Sequence, residues 1–329
     1  MNNNETLLEI KDLVVEYTSA ERAVHAVNGV KLQVARGETL GLVGETGAGK
    51  TTTALSIMGL LPDRTSHIKA GSISFDGLDL LSLNETEMQA IRGGRISMIF
   101  QDPMTALNPL RTIGYHLTEV ICRYCKVSKK EAEAIAIEML RQVGIPSPEA
   151  RMKQYHHEFS GGMRQRVMIS MALSCEPSLL IADEPTTALD VTIQAQILEL
   201  LKQLKKDRGM SVVLISHDMG VMANMCDRIA VMYGGVLVEE GTVDEIFYQP
   251  KHPYTKDLLR SIPRPEITKG SRLQAIDGAP PTLHNMPKGC PFATRCQHAC
   301  EKCFEVMPET VVFSETQNAK CHLLAGKEE

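Results

Sequence analysis

Short apolar runs alternate with glycine-containing turns over the first hundred residues, and LLEI, DLVVEY, AVNGVKLQV, ETLGLVG, SISF and RISMIF read as strands. Residues 50–60, KTTTALSIMGL, follow a glycine-rich loop and keep apolar positions at helical spacing. The local order is therefore strand, glycine loop, helix. From Pro103 to about Cys175 the periodicity turns helical, and residues 129–144 carry apolar side chains at three- and four-residue intervals before closing on Gly144. This predicts an inserted helical subdomain over about 103–175. Strands return at 178–182, 211–215 and 228–232 around a helical stretch at about 191–206, the alternation of a parallel α/β sheet. After Gly241 the pattern changes. Proline becomes frequent from Pro250, and 262–291 is rich in proline and glycine. A boundary near 250 follows, with a large domain over 1–250 and a small extension over 251–329 expected to be a separate folding unit.

Composition narrows the function classes. Apolar residues make up 43% of the 329-residue chain and charged residues 23%, ordinary values for a chain that buries a core. A net charge of −5 argues against a nucleic-acid binder, which needs a basic surface to displace counterions. The N-terminus MNNNETLLEIKDL has neither a basic n-region nor an apolar h-region, and no run approaches the ~18 apolar residues of a membrane span. A cytosolic chain is expected, with any membrane role supplied by partner chains. The nine cysteines are then expected as thiols rather than disulfides, and five of them fall between 290 and 321.

Gly44-Glu45-Thr46-Gly47-Ala48-Gly49-Lys50-Thr51 fits the P-loop pattern, glycine, four residues, then Gly-Lys-Ser/Thr, between an apolar strand and a helix. Its glycines let backbone N–H groups turn inward toward phosphate at a helix N-terminus. Lys50 is placed to reach the outer phosphates of a nucleotide and Thr51 to bind magnesium. The bland alternative, a glycine-rich turn with a capping lysine, does not account for a strand and a helix on the proper sides. Leu179–Glu184 is a buried-strand run ending in two carboxylates, which places Asp183 where ligands bind in parallel sheets. Asp183 suits magnesium, and Glu184 suits the alignment and deprotonation of an attacking water. Alone, such a pair is a solvated turn; the upstream P-loop changes that reading. Ser160-Gly161-Gly162-Met163 opens another apolar helix, either as an anion-binding N-terminus or as a capped turn.

The P-loop, SGGM at 160–163, the acidic pair at 183–184 and TALD at 187–190 stand in the order of the ATP-binding cassette family, and the chain resembles that family. The resemblance implies an ABC-type P-loop NTPase, a RecA-like α/β core with antiparallel-β and helical subdomains. It assigns Thr52 to the nucleotide site, Gln101 to magnesium and partner sensing, His217 to γ-phosphate contact and Tyr17 to adenine stacking. Ser160, Gly161, Gly162 and Met163 become the signature that meets ATP in trans, and Ala188, Leu189 and Asp190 the D-loop. The general signature has glutamine where this chain has Met163, which cannot donate a hydrogen bond. SGGM, FQDPMTALNP at 100–109 and HPYTKDLL at 252–259 resemble the peptide and nickel importer branch. That branch implies Mg-ATP hydrolysis coupled to uptake of di- or oligopeptides at the cytoplasmic face of the cell membrane. The implied partners are two transmembrane permease subunits, a second ATP-binding subunit and an extracytoplasmic solute-binding protein. Nickel or opine-like solutes, and a soluble non-transport ATPase of the same class, are the alternatives.

Cys290, Cys296, Cys303 and Cys321 supply enough thiols for a tetrahedral ligand set, with Cys300 additional and His298 and His322 as extra candidates. A set of buried apolar cysteines is the bland reading. The segment offers one close Cys-x-x-Cys pair where zinc ribbons use two. Its spacing resembles the C-terminal extension of peptide-importer ATPases, which implies a four-iron, four-sulfur cluster with zinc as the alternative.

Overall fold

The computed structural model describes residues 5–18, 23–102, 106–186, 189–262, 276–281 and 286–324. They fall into two compact units, one built mainly of residues 82–214 and the other of 6–34, 39–81 and 215–329.

In the second unit, the runs LLEI and DLVVEY join into one 13-residue strand, Thr6–Thr18. Asp12 takes a left-handed φ of 48°, and the register against Ser66–Phe75 shifts between Lys11 and Val14. A bulge therefore does what two separate strands were expected to do, and the apolar positions on either side of it stay buried. The antiparallel sheet runs in the order Ala23–Ala35, Thr6–Thr18, Ser66–Phe75, Leu78–Asp79. A second sheet segment is centred on Thr39–Val43, all five residues of which are buried. That strand pairs in parallel with Arg228–Tyr233, which pairs antiparallel with Val236–Thr242. Two short strands complete the edge: Asn318–Lys320 lies on Val236–Thr242, and Thr310–Val312 lies on Asn318–Lys320.

The extension expected to fold separately beyond 250 is thus built into this unit. Glu239, 1% exposed, accepts the backbone N–H groups of Lys251 at 2.7 Å and His252 at 2.8 Å, and the side-chain amide of Gln317 at 3.3 Å. Burial pushes its carboxyl above the ordinary value while these hydrogen bonds pull it down. A buried acceptor with three donors fixes where the chain turns after the strand. Proline frequency reported the irregular backbone correctly, but it carries no information about this long-range pairing.

The other unit contains the helical stretch. Ile113–Cys125, Lys129–Gln142, Pro148–Arg151 and Gly161–Leu173 are helices, and Gly144 sits past the second at φ 74°. Thr112, Ser128 and Ser160 each accept a backbone N–H from the first turn, and Ser128 forms a reciprocal box with Glu131. Ile96–Ile99 pairs in parallel with the fully buried strand Leu179–Asp183. The helix Val191–Arg208 follows, capped by Asp190. Among the described residues no helix is long and apolar enough to cross a membrane.

Glu245 ties the late strands to the second unit. Its carboxylate accepts Thr242 N–H at 2.8 Å, Ser314 Oγ at 2.6 Å and Thr316 Oγ1 at 2.8 Å. Partial burial raises its carboxyl, but these hydrogen bonds outweigh that and hold it below the ordinary 4.5, at about 2. A carboxyl depressed on folding stabilises the fold above the unfolded value, and that stabilisation is lost as pH falls toward the folded one. Amide exchange at 314–318 should therefore accelerate as pH drops from 4.5 toward about 2, beyond the intrinsic pH dependence of exchange. Glu245→Gln should loosen the same segment already at neutral pH and flatten the dependence; unchanged protection in that variant would refute the tie.

Candidate functional site

The strand Thr39–Val43 delivers the chain into the loop 44–49 and the helix Lys50–Met58. Two glycines are demanded by contact as well as by dihedral. A Cβ on Gly44 would lie 2.1 Å from the Met232 carbonyl oxygen, and one on Gly49, at φ 100°, 2.5 Å from the Ala26 carbonyl oxygen. Lys50 is buried, and its Nζ donates to Gly44 O at 2.6 Å and Glu45 O at 3.0 Å, so the ammonium lies inside the loop it was expected to serve. Thr46, Gly47 and Thr51 are exposed and Ala48 is buried, which leaves one side of the loop open. Tyr17 Oη lies 3.5 Å from Thr52 Oγ1, so the expected adenine-stacking residue stands beside the start of the same helix. His217 is exposed directly after the buried strand Ser211–Ser216.

The remaining candidates belong to the other unit. Asp183, 3% exposed, ends its strand, and Glu184 follows at a left-handed φ of 45°. That conformation costs about 1–3 kcal/mol for a residue other than glycine, a type of strain that clusters at functional sites. Gln101 Nε2 donates to Glu184 Oε2 at 3.0 Å, which brings together two residues separated by 83 positions in sequence. Ser160 Oγ accepts Met163 N–H at 3.3 Å at the start of Gly161–Leu173, and Gly161 and Gly162 occupy the first turn. Leu189 and Asp190 lead into the following helix, with Asp190 Oδ1 accepting Ile193 N–H at 2.9 Å. Ala188 lies outside the described residues.

The structure brings the four cysteines expected as metal ligands to one place without forming a ligand set. Cys290, Cys296, Cys303 and Cys321 do line one small cavity of about 10 Å³ together with His252. Yet among the described residues no group of three or more His, Cys, Asp or Glu side chains is placed to hold a metal ion. Cys303 Sγ is 3.5 Å from Cys300 Sγ, and burial pushes Cys290 up to about 12 and raises Cys296, Cys303 and Cys321 as well. His322 Nε2 is engaged with Val306 O at 2.8 Å.

Other residues around the loop were not singled out from sequence. Tyr254 Oη accepts the Glu45 N–H at 3.0 Å, and Arg295 pairs with the Glu45 carboxylate through both terminal nitrogens, at 2.6 and 3.1 Å. The HPYT segment was the available signal, but nothing in its spacing says that it touches residue 45.

Comparison with known proteins agrees with this geometry. A family model described as ABC transporter matches residues 27–187. The dipeptide transport ATP-binding protein DppD of Bacillus subtilis is 52% identical over 97% of this chain and 95% of its own length. The chain belongs to the ABC transporter family. A second model, described as oligopeptide/dipeptide transporter, C-terminal region, matches residues 238–303. The oligopeptide transport ATP-binding protein OppD of Bacillus subtilis is 53% identical, covering 97% of this chain and 89% of that protein. Among solved structures, the dimeric ATP-binding cassette MJ0796 bound to ADP and Pi superposes with a TM-score of 0.65 at 27% identity, covering 72% of this chain and 99% of that one. The cassette fold expected from the motifs is therefore present, and with it the ATPase class of this ABC transporter subunit.

Gly49→Ala should test the loop geometry directly. A methyl group there meets a backbone carbonyl in a left-handed conformation, so unfolding by urea should show a loss of about 2 kcal/mol or more. A loss under about 0.5 kcal/mol, the range of neutral surface changes, would mean that the close approach is not a constraint.

Proposed function

We propose that this chain is the ATP-hydrolysing subunit of an importer of di- or oligopeptides, acting at the cytoplasmic face of the membrane. The observation that carries this reading is the 52–53% identity to dipeptide and oligopeptide transport ATP-binding proteins, which extends through the C-terminal region. Two transmembrane permease subunits, a second ATP-binding subunit and an extracytoplasmic solute-binding protein complete the assembly in this reading. Reconstitution with permeases and a binding protein from the same genome tests it: peptide-dependent ATP hydrolysis supports it, and stimulation by nickel alone redirects the solute assignment.

Within that role, the glycine loop 44–49, the N-terminus of the helix Lys50–Met58 and the buried Lys50 hold the phosphates of ATP, and Tyr17 supports the base. The Thr51 hydroxyl, the Asp183 carboxylate and the Gln101 amide are oxygen donors of the kind magnesium takes. Held there, magnesium would supply positive charge that offsets the charge of the phosphates. Glu184 orients and deprotonates the water, Gln101 holds the Glu184 carboxylate, and His217 contacts the γ-phosphate. Ser160, Gly161, Gly162 and Met163 serve the ATP of the second cassette in trans, with Ala188, Leu189 and Asp190 as the D-loop. Met163 contributes its backbone only. Glu184→Gln should retain ATP binding and lower kcat by about 10²-fold or more in the assembled transporter, whereas Lys50→Ala should weaken binding itself. Near-normal turnover in Glu184→Gln would remove Glu184 as the base.

For the cysteine-rich extension, the thiol chemistry favours a metal-stapled segment, with a four-iron, four-sulfur cluster ahead of zinc on Cys290, Cys296, Cys303 and Cys321. The thiols would have to deprotonate and converge on binding. Anaerobic purification followed by iron, sulfide and zinc analysis decides: iron with sulfide supports the cluster, zinc alone replaces it, and no metal leaves cysteines that serve only as apolar packing.

A further inference from the structure

Glu45 places a carboxylate within the loop read above as the phosphate cradle, where a second negative charge opposes an incoming polyphosphate. Its neighbours are arranged around that liability. The Glu45 N–H is taken by Tyr254 Oη at 3.0 Å, its carbonyl by Lys50 Nζ at 3.0 Å, and its carboxylate by Arg295. The Arg295 side chain is only 4% exposed, against 26% for Glu45. Every N–H of the guanidinium has an acceptor. Nε donates to Asp277 O at 3.0 Å, Nη1 to Glu45 Oε2 at 2.6 Å and Tyr233 Oη at 3.0 Å, and Nη2 to Glu45 Oε1 at 3.1 Å and Ile276 O at 3.2 Å. Two backbone carbonyls of the extension thus aim a bidentate fork at one carboxylate of the loop. Aromatic packing braces the fork: Phe292 meets Tyr233 with ring centroids 5.2 Å apart and Tyr254 at 5.3 Å.

We propose that Arg295 is a positioning residue for the nucleotide, supplied by the C-terminal extension, which neutralises Glu45 and holds the loop in its phosphate-accepting shape. The role rests on the P-loop reading of residues 44–51. Arg295 touches no reacting atom; it acts through Glu45. Two effects follow from its loss, and they separate experimentally. A bare carboxylate repels the phosphates, and an unbraced loop loses its geometry. The first disappears when the carboxylate is removed too; the second does not.

Calorimetric titration of the full-length chain with Mg-ADP, and ATPase kinetics of the assembled transporter, supply the measurements. Arg295→Ala should weaken Mg-ADP binding about tenfold and raise KM for ATP with kcat within about twofold, while Arg295→Lys, which keeps the charge without the fork, should lie between. Adding Glu45→Gln to Arg295→Ala should recover binding to within about threefold of the parent. Glu45→Gln alone, which leaves the cation in place, should tighten Mg-ADP binding and is informative even if Arg295→Ala folds poorly. Wild-type affinity in Arg295→Ala would overturn the proposal; a double variant as weak as the single one, or weakened binding in Glu45→Gln, would overturn neutralisation of Glu45 and leave only the brace. Lys50→Ala is titrated alongside: if it too binds Mg-ADP normally, the P-loop reading itself has failed; if it loses binding while Arg295→Ala does not, only the role of Arg295 falls.

Discussion

The backbone at Gly44 runs so close to the Met232 carbonyl that any side chain would overlap it, and the strand pairing and aromatic packing beside the loop depend on that close approach. It requires Thr39–Val43 and Arg228–Tyr233 to lie side by side in parallel register, as they do from Leu40 with Arg228 to Val43 with Val231. Once they do, Tyr233 at the end of the second strand stands where its hydroxyl accepts from Arg295, and its ring packs at a centroid distance of 4.5 Å from Tyr254. The loop is consequently held from below by a strand and from the side by aromatic residues, in a conformation that glycine alone permits at positions 44 and 49.

The C-terminal segment enters this arrangement through buried polar contacts as much as through apolar ones. Glu239 and His252 are each 1% exposed, and Gln317 is 3% exposed. His252 Nδ1 accepts the Tyr254 N–H at 3.1 Å, and burial lowers the imidazole to about 3, so the ring is neutral at physiological pH. Hydrogen bonds of this kind stabilise little on net, but leaving any partner unpaired in the interior costs about 1–3 kcal/mol each. They therefore select one docking geometry for residues 249–254 and 317, and the HPYT motif is best understood as part of that docking.

In the helical unit the local signals agree with one another. Ser128 with Glu131, Thr112 and Ser160 each begin a helix where an N-cap residue precedes an apolar periodic stretch, and Gly144 follows one where glycine was expected. Ser160 caps a helix as well as opening the SGGM motif, so part of that motif's residue choice has a local cause. Glu184 is different: its left-handed backbone has no local sequence reason, and its carboxylate is reached by Gln101 from a distant loop.

The parts of this protein that depend on neighbours in sequence were legible in advance. Strand, glycine loop and helix at 39–58, the helices at 129–142 and 191–208, and the strands at 179–183, 211–216 and 228–233 follow from periodicity, caps and glycine placement, which act over a few residues. The motif order from residue 44 to residue 190 was enough to name the family. The merging of two apolar runs into Thr6–Thr18 was not legible, because the bulge at Lys11 to Val14 is defined only against Ser66–Phe75. Nor were the three-residue strands Thr310–Val312 and Asn318–Lys320, too short to show a period and stabilised by an edge some 80 residues earlier. Proline frequency and cysteine spacing pointed to an independent, metal-centred extension. Tertiary structure set Cys290, Cys296, Cys303 and Cys321 around one small cavity and sent Arg295, between two of those cysteines in sequence, 250 positions back to Glu45. A sequence can reveal that a buried cation needs a carboxylate, but only the folded chain decides which one it meets.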